Sequence, residues 1–119
     1  MKYVSASEAV KLIKSGDSVY IQGSTSIPEI LVQAMTDRAP ELRDVKVYSA
    51  FAIGRFDAPY AKAELRDSFE PLTFFVANNM RNAIKEGVAQ TIPAFLGEIP
   101  FLFRSRQVPL DVTLLNVSE

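Results

Sequence analysis

Residues 21–28, Ile-Gln-Gly-Ser-Thr-Ser-Ile-Pro, hold the chain's best equipment for recognising an anion or a polarised carbonyl. Gly23 lets a ligand approach the backbone closely, Ser24, Thr25 and Ser26 supply hydroxyls, and Ile27-Pro28 leads into a helix whose positive end presents free N–H groups. Gly and Ser are also ordinary turn and cap residues, and the segment lacks the Lys or acidic partner of the longer phosphate-loop and dinucleotide patterns. A second candidate is Asn78-Asn79-Met80-Arg81, which sets two amides and a cation at another strand-to-helix turn. The same residue types serve equally as helix caps and solvated charges. Glu64, Asp67 and Glu70 have no spacing that would aim two carboxylates at one substrate atom, so they read as a solvated face. Phe95, Phe101 and Phe103 are expected in the core rather than on a stacking platform.

What is missing narrows the chemistry further. The 119 residues contain no Cys and no His, which excludes disulfides, thiol nucleophiles, Cys/His zinc sites and Ser-His mechanisms built from this chain alone. Lys and Arg total 13 against 14 Asp and Glu, a net charge of −1 that provides no electrostatic attraction to nucleic acid or an anionic membrane. With 48% apolar and 23% charged residues, the composition is that of a folded domain with a real core. No apolar run approaches a membrane span and the start lacks a signal-peptide core, so a cytoplasmic location is expected. There is neither a repeat nor a linker-like tract, and a single domain is expected.

The elements that must position these residues follow from local patterns. Ser5 and Glu8 form an S-x-x-E capping box ahead of a helix bearing Ala9, Val10, Leu12 and Ile13. A strand over 18–22 then feeds the candidate loop. A second such box, Ser26 to Glu29 with Pro28 in the first turn, predicts a helix burying Ile30, Leu31, Ala34 and Met35 and ending by Pro40. Strands are expected over 45–51 and 72–76, separated by a charged excursion from Gly54 to Pro71 with at most one helical turn. Asn78 or Asn79 caps the next helix, 91–95 is at best a short strand, Pro100 starts a brief helix through Phe103, and 110–117 is a final strand. Strands alternating with helices, several of them apolar on both faces, predict an α/β domain with an open, mostly parallel sheet flanked by helices. Ligands of such sheets bind at the carboxyl ends of the strands, here the loops after Gln22, Phe51 and Val76.

Taken in order, Ser5 to Val10 with Ile13 to Asp17, Gly23 to Pro28, Phe74-Phe75-Val76 with Asn79 and Arg81, Glu86-Gly87, Ile92 to Leu96, Glu98-Ile99-Pro100 to Phe103-Arg104, and Pro109 to Val112 resemble the acetyl-CoA hydrolase/transferase family, which includes the 4-hydroxybutyrate CoA-transferases. The resemblance runs through nearly the whole chain. It implies the CoA-transferase fold, with residues 1–119 as the N-terminal portion of a longer enzyme cut before its catalytic half. It also implies exchange of coenzyme A between an acyl-CoA substrate and a small carboxylate, without a metal, through a glutamate that lies beyond Glu119. Catalytic residues are therefore expected to be absent here. Gly23 to Pro28 would line the acyl pocket and hold carbonyl oxygens through backbone N–H groups, with Asn78, Asn79 and Arg81 also facing substrate. Ser24 stands where a second Gly is frequent in the family, and Ala77 where many relatives have Gly.

Two other functions fit the same residues: a free-standing phosphate- or nucleotide-binding module, and a catalytically empty fragment that only self-associates. Leu110 to Val117, an apolar strand with nothing after it to cover it, implies a homo-oligomer.

Overall fold

The computed structural model describes residues 2–51 and 57–118. Its centre is a five-stranded sheet in the order β4-β3-β2-β1-β5, with every neighbouring pair parallel. The strands are β1 (Ser18–Ile21), β2 (Val45–Ser49), β3 (Phe69–Thr73), β4 (Gln90–Thr91) and β5 (Val112–Leu114). Four short helices accompany them: α1 (Ala6–Ala9), α2 (Glu29–Asp37), α3 (Asn78–Lys85) and α4 (Ile99–Arg104). The α/β class with a parallel sheet, expected from the residue pattern, is what the chain forms. Among the described residues no helix is long and apolar enough to cross a membrane.

Side chains alternate across the sheet, as the pleat requires. Val19, Ile21, Val45, Val47 and Phe69 point to one face, where Val10 from the turn after α1, Val32 and Met35 from α2 and Met80 from α3 close the main core. Tyr48, Leu72 and Phe74 point to the other face and pack with Ile99 and Val108. The topology explains the division. Steps from β1 through β4 all run the same way, so right-handed connections put their helices on one face; the return from β4 to a place beside β1 runs backwards and must cross the opposite face, where α4 lies.

Several boundaries differ from the sequence expectation, each for a tertiary reason. Ser5 does cap α1, accepting from the Glu8 N–H at 3.2 Å. The second box does not form: Ser24–Ser26 is a 3-10 turn, Pro28 precedes the helix, and no side chain caps α2. Ile27 is extended (φ −61°, ψ 127°), the conformation that a following proline imposes, so the chain cannot coil directly from Ser26. The buried face of α2 is Val32, Met35 and Thr36, while Ile30 is 77% exposed. Thr36 tolerates burial because its hydroxyl donates to the Val32 carbonyl at 2.8 Å. Leu12, also expected inside, is exposed.

The strand placed at 72–76 runs instead over Phe69–Thr73, with Pro71 inside it. Phe74 donates to the Ser49 carbonyl of β2 and Ile92 to the Thr73 carbonyl, so alternation turns the Pro71 nitrogen toward β4, ahead of that strand's first residue. The missing donor therefore leaves no gap in the ladder. Strands β2 and β5 are also shorter than expected, and α3 starts at Asn78 with Ala77 rather than an asparagine at its cap. In the charged excursion, residues 54–56 lie outside the described residues; the remainder forms a 3-10 turn at Ala63–Leu65 and sends Ala58 and Tyr60 into the core. Phe103 is half-buried against Tyr20, Tyr48 and Phe74, but Phe95 and Phe101 are exposed, contrary to the expected core placement: α4 packs on the sheet through Ile99, Leu102 and Phe103, which leaves Phe101 on its outer side, and Phe95 lies in the turn before the helix.

Burial pushes the Tyr60 phenol up to about 12, with the Ser49 hydroxyl pulling the other way. The unfolded phenol ionises near 10, so the folded state holds its proton over a range in which the unfolded state releases it. Stability is thus intact below pH 10 and is expected to fall by about 2–3 kcal/mol as pH rises toward 12. Tyr20 and Tyr48, also raised by burial, act with the same sign. Urea unfolding between pH 9 and 12 measures this, and Tyr60→Phe should remove most of the alkaline slope.

Candidate functional site

Three polypeptide exits converge at the carboxyl end of the sheet: residues 22–28 after β1, 50–51 after β2 and 74–77 after β3. The first two are joined by backbone. The Ser24 N–H donates to the Phe51 carbonyl at 2.6 Å. A Cβ built on Gly23 would sit 2.5 Å from that same carbonyl oxygen, so only glycine permits the approach. Gly23 itself is extended (φ −98°) and needs no special backbone freedom. The residue that does adopt a left-handed conformation is Ser24, at φ 63°. The position where the family resemblance calls for a second glycine thus has a glycine's geometry and carries a serine. Ala77, the other departure, is extended (φ −83°, ψ 166°), a conformation open to any residue.

On the far side of β1 the exit of β5 is tied to the same loop. Gln22 donates its N–H to the Leu114 carbonyl at 3.0 Å, and its side-chain Oε1 accepts from the Asn116 N–H at 2.7 Å. Thr25, Ile27, Pro28, Glu29, Ile30, Leu31, Leu115 and Asn116 line a cleft of about 520 Å³. Connections leave β1 for one face while β5 was reached across the other, so this cleft is the topological switch point of the sheet. Gln22 and Asn116 escaped the sequence reading. Nothing local marks a glutamine ending a strand as a partner for a residue near the other end of the chain.

The expected site residues are not all gathered in one place. Gly23 to Pro28 lie together between β1 and α2, and no side chain caps the first turn of α2. Asn78 and Arg81 are exposed on the first turn of α3. Asn79 turns toward residues 57–64, where with Asp57, Ala58, Lys62 and Asn82 it lines a separate hollow of about 230 Å³. A wider depression of about 750 Å³ lies on the helix side between α1, α2 and residues 57–62, bordered by Glu29, Asp37, Asp57 and Lys62. The strand ends therefore offer neutral donors: backbone N–H groups, hydroxyls and amides. This is equipment for steadying a carbonyl oxygen, and beside it the Glu29 carboxylate stands on the wall of the cleft at the start of α2.

The family model described as the acetyl-CoA hydrolase/transferase N-terminal domain matches residues 1–119. The chain belongs to the acetyl-CoA hydrolase/transferase family. Among curated relatives of this family, a succinyl-CoA:acetate/propanoyl-CoA:succinate CoA transferase of Fasciola hepatica is 34% identical over 93% of the chain and 23% of its own length. A 4-hydroxybutyrate coenzyme A transferase of Clostridium kluyveri is 30% identical over 99% of the chain and 27% of its own length. The crystal structure of RipA from Yersinia pestis shares the fold, with a TM-score of 0.83 at 24% identity over 92% of the chain and 27% of that structure. The chain thus spans about a quarter of the length of the relatives it matches.

The loop geometry separates the roles of two adjacent residues. Replacing Ser24 by Gly relieves a left-handed residue at the cost of a more flexible unfolded chain, and is expected to stabilise the fold by about 0.5 kcal/mol. Gly23→Ala must push the Phe51 carbonyl away and is expected to cost about 1–3 kcal/mol. Urea unfolding midpoints of the two variants measure both effects, which should have opposite signs.

Proposed function

We propose that this chain supplies the acyl-pocket side of a CoA-transferase or acetyl-CoA hydrolase site, with the loop from Gly23 to Pro28 holding the thioester carbonyl by backbone N–H donors other than that of Ser24, which is given to Phe51, and Pro28, which has none. The observation that carries this reading is the rigid joint between Ser24 and Phe51 at the carboxyl end of β1, which fixes the loop before any ligand arrives. Donors fixed in advance stabilise developing oxyanion charge without reorganisation. The relatives' names, which specify CoA transfer involving succinyl, propanoyl, acetate and 4-hydroxybutyrate groups, support an acyl-CoA and a small carboxylate as the substrates. Asn78, Asn79 and Arg81 would contact the substrate from α3. The carboxylate that forms the covalent intermediates is assigned to none of these 119 residues, which act as the N-terminal portion of the whole enzyme, in the cytoplasm and without a metal.

Two outcomes are expected with the 119-residue chain. Acetyl-CoA added to the ¹⁵N-labelled protein should move the amide signals of Gly23 to Ser26 and leave those around Glu64 in place; equal movement at both would count against the loop. Incubation with acetyl-CoA and acetate should give no thioester loss, and turnover that follows the protein through purification would show that the chemistry is contained here.

The proposal extends to self-association. Leu110, Leu115 and Val117 are exposed beside β5, an edge strand paired on one side only. Covering them is worth on the order of 1.5 kcal/mol per side chain before the cost of docking. Sedimentation velocity should therefore show a dimer or larger species that dissociates on dilution; a monomer at every concentration would exclude it.

A further inference from the structure

We propose that the apolar, arginine-bearing segment from Phe95 to Arg106 of one copy of this chain docks into the acidic depression between α1 and α2 of a second copy, so that copies associate head to tail. The contact is separate from the carbonyl-holding loop and from the edge of β5. Its first surface is held open by the backbone. Phe95 and Phe101 leave 80% and 63% of their surfaces exposed, and Leu96 is exposed beside Phe95. Two bonds lock the turn that carries Phe95: its N–H donates to the Glu98 carboxylate at 3.0 Å, and the Glu98 N–H donates to the Phe95 carbonyl at 2.9 Å. Ile99, Leu102 and Phe103 face the sheet, which leaves Phe101 and Arg104, three positions apart on one side of α4, exposed together. Arg106 follows in a left-handed conformation, φ 60°, at the position after the helix where glycine is the ordinary choice. Preordered aromatic surface beside arginine is the make-up of an interface.

Charge identifies where that surface docks. The depression of about 750 Å³ has the complementary character: Ala6, Ile30, Ala34 and Pro59 give it apolar walls, and Glu29, Asp37 and Asp57 outnumber Lys62 around it. Among the described residues, neither the two arginines nor these three carboxylates have an ion-pair partner within the chain. Aromatic rings with two unpaired cations therefore match apolar walls with three unpaired carboxylates. The α1–α2 side covers one face of the sheet and α4 the other, so the two surfaces cannot meet within one chain. Nor can one partner copy fill both at once. The contact is heterologous, and growth continues past a dimer.

Sedimentation velocity on the 119-residue chain is expected to show species larger than a dimer, which dissociate as NaCl rises from about 0.05 to about 0.5 M. Two charge-reversed variants test the pairing: Arg104→Glu with Arg106→Glu, and Asp37→Lys with Asp57→Lys. All four positions are exposed, and circular dichroism checks that each variant keeps the fold. Each variant alone should associate about tenfold more weakly than the wild type, because like charges then face each other. An equimolar mixture should recover the wild-type association, since one variant's native segment meets the other's native depression and the reversed pair is again complementary. A mixture that fails to recover overturns the proposal, and so does a chain that is monomeric at every concentration. Association that stops at a dimer, ignores both charge reversals and is lost with Leu115→Lys also overturns it, and leaves pairing at the edge of β5 standing.

Discussion

The hydrogen bond from the Ser24 N–H to the Phe51 carbonyl makes one rigid unit of two strand exits. It requires the absence of a side chain at Gly23, because any Cβ would collide with the carbonyl being bound. Ser24 then turns left-handed, at φ 63°, as the chain leaves the bonded peptide for α2. It also sets where the Phe51 ring begins. The loop's hydroxyls, the entry to α2 and the aromatic pair at the end of β2 all take their places from this contact.

The sheet beneath is what brings those exits together. β1 lies between β2 and β5, so the loop after it meets the end of the second strand on one side and of the last on the other. The direction of chain travel reverses there, and right-handed connections then force helices onto opposite faces and leave a cleft between the diverging paths. The bonds from Gln22 to Leu114 and Asn116 close the floor of that cleft. On the second face, Phe103 meets Tyr20, Tyr48 and Phe74 edge-on, with ring centroids 5.4–6.0 Å apart, the favoured geometry for rings of opposed edge and face charge. Phe74 continues directly into Phe75, whose ring meets that of Phe51 with centroids 5.2 Å apart across the ends of β2 and β3.

At this end of the molecule the described residues offer mainly neutral donors and apolar surface, which suit holding a carbonyl group and its substituent, with Glu29 as a carboxylate on the cleft wall. A family whose relatives are about four times as long, and whose names specify transfer of coenzyme A between acyl groups, accommodates such a division of labour between a pocket and a separate nucleophile.

Local physics was legible in the residues alone. The Ser5 cap, the two-residue alternation of β1 and β2 and the parallel α/β class all depend on neighbours a few positions apart, and so did the choice of residues 23–28 as the loop opening a helix. The failures share one cause. The Ser26–Glu29 box matched as a pattern, but Pro28 holds Ile27 extended; the charged excursion was expected to run through Pro71, but β3 includes that residue because β4 starts beyond its nitrogen; the expected buried face of α2 left out Thr36, whose hydroxyl finds the Val32 carbonyl. Gly23 was read as letting a ligand approach the backbone, and the group that approaches it in the fold is the Phe51 carbonyl, which follows another strand. Gln22 and Asn116 stand 94 positions apart and carry no mark of each other. Hydrogen-bond partners and van der Waals limits between distant segments exist only once the sheet has assembled, so tertiary structure alone decided how the loop is fixed and what stands beside it.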